Sequence, residues 1–190
     1  VFVFYPNKVL TTGEGGMITV NDPEITGRCR ALINQGRSED YEARDLTGYS
    51  LRGSELGAAI GRVQLASLDR RLIARRDLAL EYRRALKQVP AIACPWPECA
   101  ERCWFTMPVL LPRGSNRDGV MAHLNSQGIA TADYFPVIHS WPNLTARVVR
   151  SGDLRCSDDL SGRLLCLPFW EGVEEHIEFI VRELGSALEA

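Results

Sequence analysis

The 190-residue sequence lacks a long apolar run and a block of basic residues. A membrane helix needs about 18 consecutive apolar residues, so we expect neither a spanning helix nor a signal peptide. Lys and Arg total 22 against 24 Asp and Glu, so the surface has no excess positive charge for a nucleic-acid partner. Together these absences predict a soluble, cytoplasmic protein that binds neither nucleic acid nor membrane.

A metal-binding cysteine pattern is also missing. The six cysteines are scattered, and the closest set, Cys94, Cys99 and Cys103, has neither the two-residue spacing nor the second ligand pair of a zinc site. We therefore expect no metal, and reduced, partly buried thiols instead.

An initiator methionine is absent too, because the chain opens directly on the apolar run VFVFYPNK. This opening suggests a sequence that has been cut. At 190 residues with 45% hydrophobic content, the chain can form one domain, or one domain plus the edge of another.

The first third of the chain predicts two strands, a helix and a long loop. The apolar runs at residues 1–5 and 16–20 predict strands, and Lys8 is expected at the end of the first. Asp22 followed by Pro23 predicts the start of a helix over residues 22–34. The polar, glycine-containing residues 36–53 predict a long loop of the kind that often carries function.

The remaining residues predict helices and a second, smaller domain. Apolar spacing behind a Ser54 cap predicts one long or two consecutive amphipathic helices as far as Pro90. After an extended, proline-rich stretch, strands are predicted within residues 103–112 and 129–135. Further helices are predicted over 115–128 with Ser115 as its cap, over 157–168 ending at Pro168, and over 177–188. This alternation indicates an α/β or α+β arrangement.

Lys8 stands between an apolar, aromatic run and the turn TTGEGG. It could be a surface lysine, or the turn could cradle a phosphate, although the Gly-Lys-Ser/Thr ending of a P-loop is missing. A third possibility is a lysine whose amine forms a Schiff base with a carbonyl such as the aldehyde of pyridoxal phosphate. The residues around Lys8 do not choose among these three.

Four separated blocks resemble one family. FYPNK with TTGEGGMITVND, GYSLRGSELGAAIGRVQLASLD, GIATADYFPVIH and LCLPFW follow the order and approximate spacing of the DegT/DnrJ/EryC1/StrS family of nucleotide-sugar aminotransferases. The resemblance covers only the C-terminal half of a family member. It implies an α/β fold, the C-terminal half of a fold type I pyridoxal 5'-phosphate (PLP)-dependent transferase. The implied parts are the end of the large domain at residues 1–52, connecting helices at 53–90 and a small domain at 91–190.

The resemblance also implies a cofactor and four site residues. Lys8 matches the catalytic lysine that binds PLP, Asn7 and Ser50 match cofactor-binding positions, and His139 matches a histidine near the substrate. His139 could equally be a loop histidine bonded to the backbone. The implied reaction aminates a nucleotide-linked keto-sugar, a 4-keto-6-deoxyhexose in our expectation, with glutamate as donor.

The sequence departs from the family pattern at cofactor-binding positions. Val3 replaces a phosphate-binding serine, and Ser50 replaces an asparagine that reaches the neighbouring subunit's phosphate. Residues that hold the PLP ring in family members precede the lysine and are expected to be missing here. We therefore expect the isolated chain to be inactive, and expect a homodimer or pairing with a chain that carries the N-terminal half. The alternatives are a non-catalytic remnant or interaction module, and a PLP-dependent sugar dehydratase, in which some relatives have histidine in place of the lysine.

Overall fold

The computed structural model describes residues 1–37, 46–96, 102–145 and 152–189, and the chain divides into two compact units. The first unit is Val1–Arg71 and the second is Leu72–Ala190. The division of the chain into residues 1–52, 53–90 and 91–190 stays a prediction.

The first unit begins with an antiparallel hairpin. Strand β1 (Phe2–Val3) pairs with strand β2 (Gly16–Met17), with Phe2 opposite Met17. Both predicted strands are present but are much shorter than residues 1–5 and 16–20. Lys8 therefore lies inside the connecting turn, five residues beyond Val3, and the prediction that it ends a strand is wrong. Beyond Val3, the Phe4 N–H still donates across the hairpin to the Gly15 carbonyl at 2.9 Å, and the Phe4 carbonyl accepts from the Thr12 N–H at 3.1 Å, where the chain turns.

Helix α1 (Pro23–Ile33) matches its prediction closely. The Asp22 side chain accepts hydrogen bonds from the main-chain N–H groups of Glu24 and Ile25, at 2.8 and 3.3 Å. Pro23 fits the first helical position because its missing N–H would have no partner there. After α1, Asn34 forms an isolated antiparallel bridge with Ser50. Residues 38–45 of the predicted loop lie outside the described residues.

Two consecutive helices follow, which is one of the two arrangements predicted. Helix α2 (Glu55–Ala66) starts at Ser54, whose hydroxyl accepts from the Gly57 N–H at 3.0 Å. Helix α3 (Leu68–Ala85) begins after a break at Ser67 and runs from the first unit into the second. A 3₁₀ turn, Leu86–Gln88, ends it.

The second unit is built around one antiparallel strand pair. Strand β3 (Met107–Leu110) pairs with strand β4 (Leu164–Leu167), with Met107 opposite Leu167. Helices α4 (Arg117–Ser126) and α7 (Ile177–Glu189) pack against each other, and α4 also contacts β4. Helices α5 (Pro142–Thr145) and α6 (Arg155–Arg163) come between α4 and α7 in the chain.

The core of this unit is apolar and closely packed. Its fully buried side chains come from α3, β3, α4, β4 and α7 and include Leu78, Tyr82, Met107, Val109, Leu124, Leu165 and Leu184. Trp104 belongs to this core, where its ring meets that of Trp96 edge to face at 5.3 Å. Closing helix α7 confirms the helix predicted over residues 177–188.

Three local predictions in this unit are wrong. The cap of α4 is Asn116 and not Ser115, because the Asn116 side chain accepts from the Gly119 N–H at 3.0 Å. Residues 129–135 form no strand, only one bridge between Ala132 and Cys166. The helix predicted over 157–168 stops at Arg163, since the apolar residues after it extend and pair with β3.

The five described cysteines are free thiols. Cys166 is buried, Cys29 and Cys94 are half-buried, and Cys103 and Cys156 are exposed. Burial raises the pKa of the Cys94 and Cys166 thiols, which keeps them protonated and weakly reactive. None of the helices in the described part of the chain is long and apolar enough to span a bilayer.

Candidate active site

The turn that carries Lys8 is closed by main-chain hydrogen bonds. The Lys8 N–H donates to the Tyr5 carbonyl at 2.9 Å, and the Thr12 N–H donates to the Phe4 carbonyl at 3.1 Å. The Thr11 hydroxyl donates a second hydrogen bond to the Phe4 carbonyl at 3.0 Å. Lys8 is half-buried and the next residue, Val9, is 8% exposed. The main chain around Lys8 is therefore held by its own turn.

The conformation and packing of the hairpin itself explain the glycines of this turn. Gly13 has φ of +81°, a conformation that residues with a Cβ rarely adopt. A Cβ on Gly15 would meet the Thr12 hydroxyl at 2.7 Å, and one on Gly16 would meet the Phe2 carbonyl at 2.9 Å. The turn therefore requires these glycines for its own packing, whatever it binds.

Ser50 lies on the exposed segment before α2 and is tied to a neighbouring cation. Arg52 donates from one guanidinium nitrogen to the Ser50 hydroxyl at 3.2 Å and from another to the Asn34 side-chain oxygen at 2.7 Å. Because the Ser50 oxygen accepts from Arg52, its own proton remains available for a further acceptor. Sequence reasoning singled out Ser50 but missed Arg52. The available signal was the position of Arg52 only two residues after Ser50, within reach of the serine hydroxyl.

His139 lies in the second unit, in a short 3₁₀ turn at Ile138–Ser140. Its Nε2 is 2.8 Å from a carboxylate oxygen of Asp158 on α6, and its side chain is only 17% exposed. A carboxylate partner of this kind fixes the orientation of the imidazole ring. Sequence reasoning did not anticipate Asp158, because 19 residues separate the two positions and only the fold pairs them.

Lys8, Asn7 and Ser50 belong to the first unit and His139 to the second. Val3, which stands where family members have a phosphate-binding serine, pairs with Gly16 in the hairpin and is 57% exposed. Its side chain offers no hydrogen-bond donor, so the first unit supplies one donor fewer than the family pattern.

The family model described as the DegT/DnrJ/EryC1/StrS aminotransferase family matches residues 1–184. The chain belongs to this family. The predicted fold class is thereby confirmed, since solved structures of aminotransferases superpose on the chain and are matched over about half their length.

Among family relatives, the dTDP-3-amino-3,4,6-trideoxy-alpha-D-glucose transaminase of Streptomyces venezuelae is 33% identical over 177 residues. The match covers 91% of this chain and 45% of the transaminase. The crystal structure of Streptomyces venezuelae DesV in complex with a ketimine intermediate superposes with a TM-score of 0.86 at 30% identity. That match covers all of this chain and 51% of DesV.

A third similar structure shares the fold at lower identity. It is the Escherichia coli GDP-4-keto-6-deoxy-D-mannose-3-dehydratase with bound hydrated PLP, with a TM-score of 0.86 at 22% identity. The match covers 96% of this chain and 53% of the dehydratase. The chain thus spans about half the length of the family members that it resembles.

Proposed function

We propose that this chain supplies the lysine half of a PLP-dependent aminotransferase of nucleotide-linked keto-sugars. The acceptor is a 4-keto-6-deoxyhexose and the amino donor is glutamate. The observation that supports the proposal is the placement of Lys8 in a closed, half-buried turn of a chain that belongs to an aminotransferase family. A primary amine held in one place can act first as nucleophile and then as base.

The donor groups of the first unit fit pyridoxal phosphate in their chemistry. The aldehyde requires a primary amine, which Lys8 provides, and the phosphate requires N–H and O–H donors. The Asn7 amide lies next to Lys8 in the chain, and the Ser50 hydroxyl and Arg52 guanidinium lie together before α2. Lys8 and Asn7 would hold the cofactor of their own subunit, and Ser50 and Arg52 would serve the phosphate in a neighbouring subunit.

These residues would have distinct tasks in the proposed reaction. The Lys8 Nζ would hold the aldehyde of the cofactor and, once the amino donor has replaced it, would carry the proton of the donor's Cα. The cofactor, when bound, would supply the electron sink for removal of that proton. His139, oriented by Asp158, offers a ring nitrogen to a polar group of the sugar nucleotide.

The proposal includes a partner. Phe2, Val3 and Met17 of the hairpin are each more than half exposed, and Leu56 and Val63 of α2 are 80% and 74% exposed. Apolar surface of this extent is typical of an interface. We propose that a chain carrying the N-terminal half of the family fold, or a second copy of this chain in a homodimer, contacts these elements.

A second candidate, a non-catalytic interaction module, is favoured by the same exposed apolar surface on α2 and by the donor missing at Val3. The dehydratase alternative is favoured by the shared fold of the E. coli enzyme. Retention of Lys8 opposes the dehydratase, because some relatives with that activity have histidine at this position.

The test is covalent capture of the cofactor. The chain is co-expressed with an N-terminal half of a family member, incubated with PLP, reduced with borohydride and digested for mass spectrometry. Lys8 and Lys87 are the two lysines of the sequence, so the captured site can be assigned to one of them. We expect the pyridoxyl mass on Lys8, its loss in Lys8→Ala and its retention in the control Lys87→Ala. Equal capture in Lys8→Ala would contradict the assignment, because only the ε-amine at this position can form the bond.

A further inference from the structure

The side of helix α2 that packs against the turn carrying Lys8 has no large apolar side chain. Every residue of α2 is described, and its partly buried positions are Gly57, Gly61 and Gln64, which lie at i, i+4 and i+7. This spacing places the three residues on one side of the helix. The larger apolar side chains of α2, such as Leu56 and Val63, are exposed instead. The face that α2 buries within the first unit is therefore made of two glycines and one amide.

The glycines admit Thr12 of the Lys8 turn. A Cβ on Gly61 would lie 2.9 Å from the Thr12 γ-methyl, and a Cβ on Gly57 would lie 3.6 Å from the Thr12 carbonyl oxygen. A contact under 3.0 Å forces some atom to shift, so Gly61 is required for this approach. The turn thus rests on α2 at a point four residues after Lys8.

A second contact lies directly beside Lys8. Arg71 of α3 donates to the Val9 carbonyl at 3.1 Å, and the same guanidinium nitrogen donates to the side-chain oxygen of Gln64. Gln64 accordingly orients the arginine that holds Val9. On the other side, the Lys8 N–H is already bonded to the Tyr5 carbonyl. The main chain is therefore anchored at the Lys8 N–H and again at the carbonyl of the next residue, Val9.

We infer that Arg71 is a positioning residue for Lys8, supported by Gln64 and by the contact of Thr12 with Gly61. The inference rests on the proposed function for the catalytic role of Lys8. A lysine side chain is long and flexible, so the direction of its Cα–Cβ bond limits where the amine can reach. Anchoring the peptide on each side fixes that direction, and small errors in placing a reacting group reduce rates strongly.

The first experiment measures the position of Lys8 without any cofactor. The chain is treated briefly with an acylating reagent, and mass spectrometry gives the ratio of modification at Lys8 to that at Lys87, which is exposed and serves as the internal reference. Arg71→Met and Gln64→Leu should raise this ratio about three-fold or more, because the turn is released. Gln64→Glu still offers Arg71 a side-chain oxygen, so its labelling ratio should equal that of the wild type. The exposed neighbour Arg70→Met is the matched control and should leave the ratio unchanged.

The second experiment measures cofactor capture at Lys8 in the complex with the N-terminal half. We expect Arg71→Met to slow capture by about 10- to 100-fold, in line with the cost of misplacing a reacting group, while the unfolding midpoint changes little. Gly61→Ala should act in the same direction. Gly27→Ala is its control, since Gly27 also lies within a helix but an added Cβ there meets nothing within 4 Å.

A raised labelling ratio and slowed capture at an unchanged unfolding midpoint indicate that Arg71 positions Lys8. Loss of folding would also raise labelling at Lys8 and slow capture, but it would lower the midpoint. That outcome would overturn the inference, as would an unchanged labelling ratio in Arg71→Met. Absence of capture in the wild-type complex would contradict the proposed function instead. In that case the labelling ratio still decides whether Arg71 holds the turn.

Discussion

Among the residues that the structure describes, several arginine side chains bond to main-chain carbonyls or to neighbouring carboxylates. Arg163 on α6 illustrates both, because it donates to the Leu111 carbonyl at 2.8 Å and makes a two-point contact with Asp159 one helical turn earlier. The Arg163 hydrogen bond lowers the pKa of Asp159 below its ordinary value. The carboxylate thus orients an arginine that satisfies a carbonyl just beyond β3.

Replacing this carboxylate should have a pH-dependent effect on stability. A folded-state pKa below the unfolded value means that ionised Asp159 stabilises the fold above the unfolded pKa of about 3.9. The contribution disappears as pH falls through the folded-state pKa. We expect Asp159→Asn to lower the free energy of unfolding at pH 7, with the difference from wild type closing below about pH 4.

Urea unfolding followed by circular dichroism at a series of pH values measures this difference. Asp77→Asn is the control, because Asp77 contacts only the adjacent Arg76 on an exposed face of α3 in the described structure. A gap between wild type and Asp159→Asn that stays constant from pH 7 to pH 3 would contradict the role given to the ionised carboxylate.

At the scale of elements, α3 is tied to the end of β4 by one buried side chain. Tyr82 is completely buried, and its hydroxyl donates to the Pro168 carbonyl at 2.7 Å. The Tyr82 ring also lies 6.3 Å from that of Phe169. Burial, and secondly the negative charge of Glu174, raise the pKa of Tyr82 well above its ordinary value. The phenol therefore stays neutral and keeps its proton as a donor.

We expect Tyr82→Phe to destabilise the second unit by about 1–3 kcal/mol, because it leaves the buried Pro168 carbonyl without its donor. The difference in unfolding free energy between wild type and Tyr82→Phe should shrink above about pH 10. Tyr82 then ionises in the unfolded wild-type chain but stays neutral in the folded one, which lowers the stability of the wild type alone. Chemical denaturation at neutral and alkaline pH measures both effects. Tyr49→Phe, at a position 61% exposed, is the control, and an equal cost there would rule out the buried bond as the cause.

At the scale of the whole molecule, the two units differ in how much apolar surface they bury. The second unit encloses an apolar core to which α3, β3, α4, β4 and α7 all contribute. In the first unit, Val9 and Ala31 are the buried apolar residues among those described, while the hairpin and α2 leave large side chains exposed. A unit with so little core depends on further contacts for its stability.

We expect the isolated 190-residue chain to show no transamination of a keto-sugar nucleotide with glutamate. Co-expression with a chain that carries the N-terminal half should restore both solubility and turnover, because the hairpin and α2 are then covered. Light scattering and an assay of glutamate-dependent amino-sugar formation measure the two effects. Robust turnover by the purified chain alone would overturn this expectation.

Local chemistry accounts for what the sequence by itself determined. Asp22 before Pro23 predicted the start of α1, Ser54 predicted the start of α2, and the apolar spacing of residues 177–188 predicted α7, since caps and helical periodicity are read over a few adjacent residues. The family match over residues 1–184 confirms the resemblance that the four blocks indicated, while the role that they suggested for Lys8 stays a prediction. None of these inferences needed a contact between distant residues.

Only the tertiary structure decided features that depend on distant partners. Residues 164–167 continue the helical pattern of α6, yet they pair with β3 because that pairing buries Leu165 in the core. Asp158 meets His139, and Arg71 meets Val9 62 residues away, at spacings that no periodic pattern encodes. The choice between helix and strand, and between a surface arginine and one that holds the Lys8 turn, is made by burial and hydrogen bonding across the fold, which short stretches of sequence do not contain.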